Sequence, residues 1–245
     1  MVVPHSNQTV VGKPFGVTWA FNSAPPLEML VAGRVTTAGG VFVVFEGGDG
    51  VGKTTQVDRL CARLSNAGHD VLRTFEPGDT AVGAMIRQIV LDPATGEMSP
   101  RAEALLYAAD KAQHIFAVVG PALERGAVVV CDRYVDSMLA YQGAGRVLAP
   151  AEIEHIAHWA TEGLRPDLTV VLDAELSLTV NAKTDKDRLE SAGEVFHERT
   201  RQFFLELARR DPERYLVLDA RASRDEIAAQ VAARVAPLLS PARHR

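Results

Sequence analysis

One octapeptide constrains this chain more than anything else in it. Gly47-Gly48-Asp49-Gly50-Val51-Gly52-Lys53-Thr54 fits the pattern G-x-x-x-x-G-K-[ST], which works only when a strand feeds it and a helix leaves it. Both are predicted. Val41 to Phe45 is an apolar run, and Lys53 to Leu64 places Val57, Leu60, Cys61 and Leu64 at helical spacing. The glycines then let the backbone wrap a phosphate, with several N–H groups converging at a helix N-terminus whose dipole favours negative charge. In that arrangement Gly47 to Thr55 line a triphosphate, Lys53 reaches its β- and γ-phosphates, and the Thr54 hydroxyl ligates Mg²⁺. A glycine-rich turn with a merely solvated lysine is the plainer alternative; the flanking strand and helix argue against it.

Beyond this loop, short aliphatic runs alternate with longer amphipathic stretches, the pattern of β-α units feeding a parallel sheet. Val71 to Thr74, Ala127 to Cys131, Leu168 to Leu172 and Tyr215 to Leu218 read as further strands. The continuous aliphatic character of the middle two suits strands covered on both faces. Ser99 before Pro100 signals a helix start toward Glu124. Ser223 and Glu226 form a capping box ahead of Ile227, Val231 and Val235. No repeat or strong linker divides residues 41 to 240, so a single α/β domain is expected there, followed by a short tail, 241–245. Residues 1 to 40 are rich in Gly, Pro, Ser, Thr and Asn without sustained periodicity, which places them outside the core as a flexible extension. A partner-binding arm, or a start at Met29, are the other readings of that segment.

Of the 245 residues 47% are apolar and 23% charged, with a formal net charge of −5. That balance argues against a dedicated nucleic-acid binder. No apolar run is long enough to span a bilayer and no basic stretch leads an apolar core near the start, so a cytoplasmic protein is expected. The only cysteines, Cys61 and Cys131, lack metal-ligand spacing and read as small core residues of a reducing compartment.

A phosphate loop alone names no reaction. A GTPase needs a guanine-reading N-K-x-D segment, and Asn181-Ala182-Lys183-Thr184 is not one; a large motor needs more chain. Asp132-Arg133-Tyr134 follows the strand ending at Cys131, at the carboxyl edge where parallel sheets bind ligands. There Asp132 could hold Mg²⁺ directly or through water, and Arg133 offers a planar fork to an acceptor phosphate. A salt bridge at a strand end is the alternative.

Taken in order, Phe45 to Gln56, Glu76-Pro77-Gly78, Glu103 to Asp110, Asp132-Arg133-Tyr134 with Ser137, Ala140-Tyr141-Gln142-Gly143, Asp187-Arg188-Leu189-Glu190 and Phe196-His197 resemble the bacterial thymidylate kinases over about residues 41 to 220. The resemblance implies a P-loop NTPase three-layer sandwich: a parallel sheet of about five strands with helices on both faces. It implies a nucleoside-monophosphate kinase that transfers the γ-phosphoryl of ATP to dTMP, giving dTDP and ADP, usually as a homodimer. Carried over by position, Asp49 sits beside the acceptor's sugar and phosphate and Arg133 binds that phosphate. Tyr107 stacks on thymine, Tyr141 crowds the sugar 2′ position, and Glu76 lines the acceptor site close to the transferring phosphoryl. Lys111, Ser137 and Gln142 complete that side. A lid over ATP falls at 183–191, where Arg188 matches best and Lys183 and Lys186 are further cations for the transferring group. Without the resemblance, Tyr107, Tyr141 and Glu76 read as a helix-packing aromatic, a core residue and a turn residue before proline.

Three positions depart from the family pattern: Phe75 where arginine commonly precedes Glu-Pro-Gly, Lys111 where arginine usually follows Ala-Ala-Asp, and Met138 where a small polar residue or asparagine often meets the base. These departures bear on which base is read rather than on phosphoryl transfer. They leave open a kinase of the same fold acting on a modified nucleotide or a metabolite hydroxyl; a non-catalytic nucleotide-binding protein is the remaining alternative.

Overall fold

The computed structural model describes residues 39–144, 148–175 and 193–239. The lid segment with Lys183, Lys186 and Arg188, the tail, and all but the last two residues of the expected extension lie outside these.

Val41, Val43 and Phe45 point to one side of strand β1 (Val41–Gly47), and Phe42 and Val44 to the other. Every residue of this strand is buried, so it must be interior and covered twice. Around it β2 (Val71–Phe75), β3 (Val128–Asp132), β4 (Leu168–Asp173) and β5 (Tyr215–Asp219) form one five-stranded sheet in the order β2-β3-β1-β4-β5, with every pairing parallel. The predicted strands are all present, each extended by one or two residues at its carboxyl end or trimmed by one at its start. The register sets Phe45 beside Asp132 and Gly47 beside Leu172.

One face carries α1 (Lys53–Asn66) and α8 (Arg224–Val235), whose Val57, Leu60, Leu64, Ile227, Val231 and Val235 pack on Val41, Val43 and Phe45. The capping box predicted for α8 is formed in both directions: Glu226 N–H donates to Ser223 Oγ, and Ser223 N–H donates to the Glu226 carboxylate. On the opposite face α3 (Pro100–His114) starts at the Ser99 cap and runs through a π-helical turn, Ile115–Val119, into α4 (Gly120–Glu124). Ile115, Val119 and Leu123 cover Phe42, Val44 and Val129. A neighbouring cluster knits α2 (Ala81–Leu91), α3, α6 (Pro150–Ala160) and α7 (Glu194–Arg210) through Ile86, Tyr107, Ile153, Phe196 and Phe204. Cys61 and Cys131 are free thiols, the second buried. Among the described residues no helix is long and apolar enough to cross a membrane.

The chain leaves β1 and β3, which lie side by side, toward opposite faces of the sheet. That opens a crevice at their carboxyl ends.

Candidate active site

The crevice begins with the turn after β1. Gly47 has φ +130°, and a Cβ there would come within 2.4 Å of the Leu172 carbonyl oxygen. Gly52, at φ +93°, turns the chain into α1. Lys53 is the first residue of that helix and almost fully buried, and its ammonium reaches back over the loop to the Gly47 carbonyl at 3.1 Å and to that of Gly48. Burial and the nearby Arg133 lower the Lys53 pKa to about 8, against the opposing pull of Asp49 and Asp132. Thr54 follows, and its hydroxyl donates to Asp132 Oδ2 at 2.7 Å.

Arg133 comes off the end of β3 at φ +71°, a left-handed conformation uncommon for a residue with a side chain. Its Nη1 donates to the Gly47 carbonyl at 3.1 Å and to Ser137 Oγ at 3.0 Å, and its Nη2 to Asp49. Burial raises the Asp49 pKa, but Arg133 and Lys53 outweigh it and hold the carboxyl down at about 2. The Arg133 guanidinium lies 5.2 Å from the Tyr141 ring centre, and the Tyr141 hydroxyl donates to Asp49 Oδ2 at 3.3 Å. Lys53 and Arg133, 80 residues apart in sequence, therefore converge on one carbonyl oxygen.

From Arg133 a cleft opens between the end of β2, α2, α3 and the segment after β3. Asp49, Glu76, Tyr107, Lys111, Arg133, Ser137, Tyr141 and Gln142, all predicted, line it together with Met138. Glu76 is fully enclosed. It meets Lys111 and, at 2.8 Å, His114 Nδ1, whose Nε2 lies 2.5 Å from the Thr74 hydroxyl. Burial pushes the Glu76 pKa up, but Lys111 and His114 more than offset it and the net direction is down. Lys111 also donates to the Tyr134 carbonyl at 2.9 Å. Two of its three donors are thus committed to the protein. Gln142 likewise gives its amide to Glu103 at 3.1 Å.

A sequence model of the family described as thymidylate kinase matches residues 45–231. The chain belongs to the thymidylate kinase family. It is 58% identical over 202 residues to the thymidylate kinase of Cutibacterium acnes, covering 82% of this chain and 99% of that one. With the Deinococcus radiodurans thymidylate kinase it shares 50% identity over 199 residues, covering 80% and 96%. Among solved structures, thymidylate kinase from Ehrlichia chaffeensis superposes with a TM-score of 0.67 at 26% identity, covering 80% of this chain and 98% of that one. The α/β sandwich and the nucleoside-monophosphate kinase class expected from the sequence are thereby supported, and the non-catalytic alternative is not.

As a thymidylate kinase, the chain carries residues in and around the cleft to which the sequence assigned no role. Arg87 of α2 lines the cleft, donates to the Pro77 carbonyl at 2.7 Å and lies 5.8 Å from the centre of the Phe75 ring. Asp110 accepts from Gly78 N–H at 3.0 Å, and burial together with the neighbouring Glu76 raises it to about 6. Glu46 is buried behind Arg133. The signal for Arg87 was weak: a single cation in the mostly apolar α2.

Proposed function

We propose that this chain transfers the γ-phosphoryl of ATP to dTMP, with the triphosphate along Gly47 to Thr55 and the monophosphate in the cleft from Arg133 to Tyr107. One observation carries the reading: Lys53 and Arg133 donate to the same Gly47 carbonyl, so donor and acceptor phosphates would meet end to end. Phosphoryl transfer demands little covalent chemistry from the protein; it demands alignment and charge neutralisation. Lys53 supplies charge on the donor side, Arg133 on the acceptor side, and Arg188 of the 183–191 lid would close over both. Asp49, held ionised, keeps Arg133 in place beside the acceptor's sugar and phosphate. Tyr107 presents a ring to the base, Tyr141 crowds the 2′ position, and Glu76, Lys111, Ser137 and Gln142 form the polar wall.

Thr54 Oγ1 and Asp132 Oδ2, 2.7 Å apart at the loop's edge, are the hard oxygen donors that Mg²⁺ takes while keeping water and phosphate oxygens as its other ligands. When bound there the ion would neutralise charge on the β- and γ-phosphates. Val82, Met85 and Ile89 leave an exposed apolar stripe on α2, which supports a homodimer. The acidic net charge and the free thiols support a cytoplasmic enzyme with small-molecule partners and no nucleic acid. Residues 41–240 are proposed as the kinase domain and 1–40 as an extension to it.

The test is an acceptor panel of dTMP, dUMP, dCMP and AMP with ATP and Mg²⁺, read by ADP release. The expected outcome is turnover strongest with dTMP, and its loss by at least a hundredfold in Lys53→Ala with an unchanged circular dichroism spectrum. Wild-type turnover in that variant would overturn the mechanism; preference for another monophosphate would overturn the acceptor.

A further inference from the structure

Glu46, next to last in β1, is completely buried. A carboxylate enclosed this way needs hydrogen bonds to offset its burial. Three are made. Oε1 accepts the backbone N–H of Tyr134 at 2.8 Å and of Ser137 at 3.1 Å, and Oε2 accepts the Ser137 hydroxyl at 2.5 Å. All three donors belong to the segment just after β3, more than eighty residues away in sequence. The Ser137 hydroxyl passes the constraint on: with its proton given to Glu46, its lone pairs face outward, and one receives Arg133 Nη1 at 3.0 Å. Arg133 itself has φ +71°, a conformation that its surroundings must impose.

We propose that Glu46 is a positioning residue for phosphoryl transfer: acting through the Ser137 hydroxyl, it aims the Arg133 guanidinium at the acceptor phosphate. The placement explains why the carboxylate sits one residue before the phosphate loop. It ties the strand that carries the donor loop to the segment that carries the acceptor cation, so the distance between the two phosphates is set by β1 itself. The inference rests on the reading that Arg133 takes the acceptor phosphate.

Glu46→Gln keeps the shape but turns one acceptor into a donor facing Ser137. The hydroxyl must then accept from the amide, and its orientation toward Arg133 is lost. The expected result is a rise in the KM for dTMP of about tenfold, an ATP KM within about twofold of wild type, and unchanged binding of thymidine, which has no phosphate for Arg133. In a Ser137→Ala background the further effect of Glu46→Gln should fall below about twofold, because the relay is already cut. Equal losses for dTMP and thymidine, or a full tenfold effect persisting without the Ser137 hydroxyl, would overturn the proposal. Should Glu46→Gln fail to fold, Ser137→Ala alone must weaken dTMP and spare thymidine; an unchanged dTMP KM there overturns the relay. Arg133→Ala separates the two levels. An unchanged dTMP KM in that variant removes the acceptor-phosphate reading itself, whereas a raised one alongside a wild-type-like Glu46→Gln removes only the role of Glu46.

Discussion

The Lys53 ammonium has a pH dependence built into its burial. With its pKa lowered to about 8, the free enzyme loses this charge as pH rises through 8, while a solvated lysine keeps it to about 10.4. With the triphosphate placed as proposed, the protonated side chain attracts it more strongly than the neutral one, so kcat/KM for ATP should fall as pH rises above 8. ATP binding there should take up a proton, and because the bound phosphates favour the ammonium, the alkaline limb of kcat should lie higher than that of kcat/KM. Calorimetry in two buffers of different ionisation enthalpy checks the uptake; a flat kcat/KM profile to pH 9.5 would contradict it. At this scale, what could be recognised beforehand was what is contiguous. The Gly47–Thr54 loop and Asp132-Arg133 carry their chemistry within a few residues. Arg87, His114 and Glu46 do not, since each acquires its partner only when β2, α3 or the segment after β3 folds against it. Lys111 shows the same limit: nothing local to Ala-Ala-Asp-Lys announces that Glu76 and the Tyr134 carbonyl will absorb two of its donors.

Among the elements, α8 tests how local signals convert to stability. Its capping box satisfies a donor at each side of the helix start, and Ile227, Val231 and Val235 cover the sheet face beneath the donor loop. Ser223→Ala should cost about 1 kcal/mol, lowering Tm by about 2–4 °C for a domain of this size with no change in the KM for either substrate. Thermal melts and kinetics check both halves of the statement. The inner strands were legible because a parallel sheet covered on both faces demands largely apolar runs, and Val41 to Phe45, Val128 to Cys131 and Leu168 to Leu172 supply them. The π-helical turn at Ile115–Val119 was not, since its widened hydrogen bonding leaves the apolar spacing close to that of an ordinary helix. Nor was the short α5 (Val135–Met138), whose four residues are too few for any period.

For the whole molecule, the exposed stripe of Val82, Met85 and Ile89 is one feature that an isolated subunit leaves unexplained. Solution mass measured by light scattering should correspond to two chains, and Met85→Glu, which sets a charge in the middle of the stripe, should shift it toward one. A monomeric wild type would remove the dimer. The phosphate loop hangs from β1, the central strand, whereas the proposed acceptor wall is drawn from the end of β2, at the margin of the sheet, and from α2 and α3. Replacements at Phe75, Arg87, Tyr107 or Met138 are therefore expected to reshape what the cleft admits while the innermost strand and its phosphate loop stay as they are. If the monophosphate occupies this cleft as proposed, the base that is recognised can change without disturbing the strand that holds the phosphate donor.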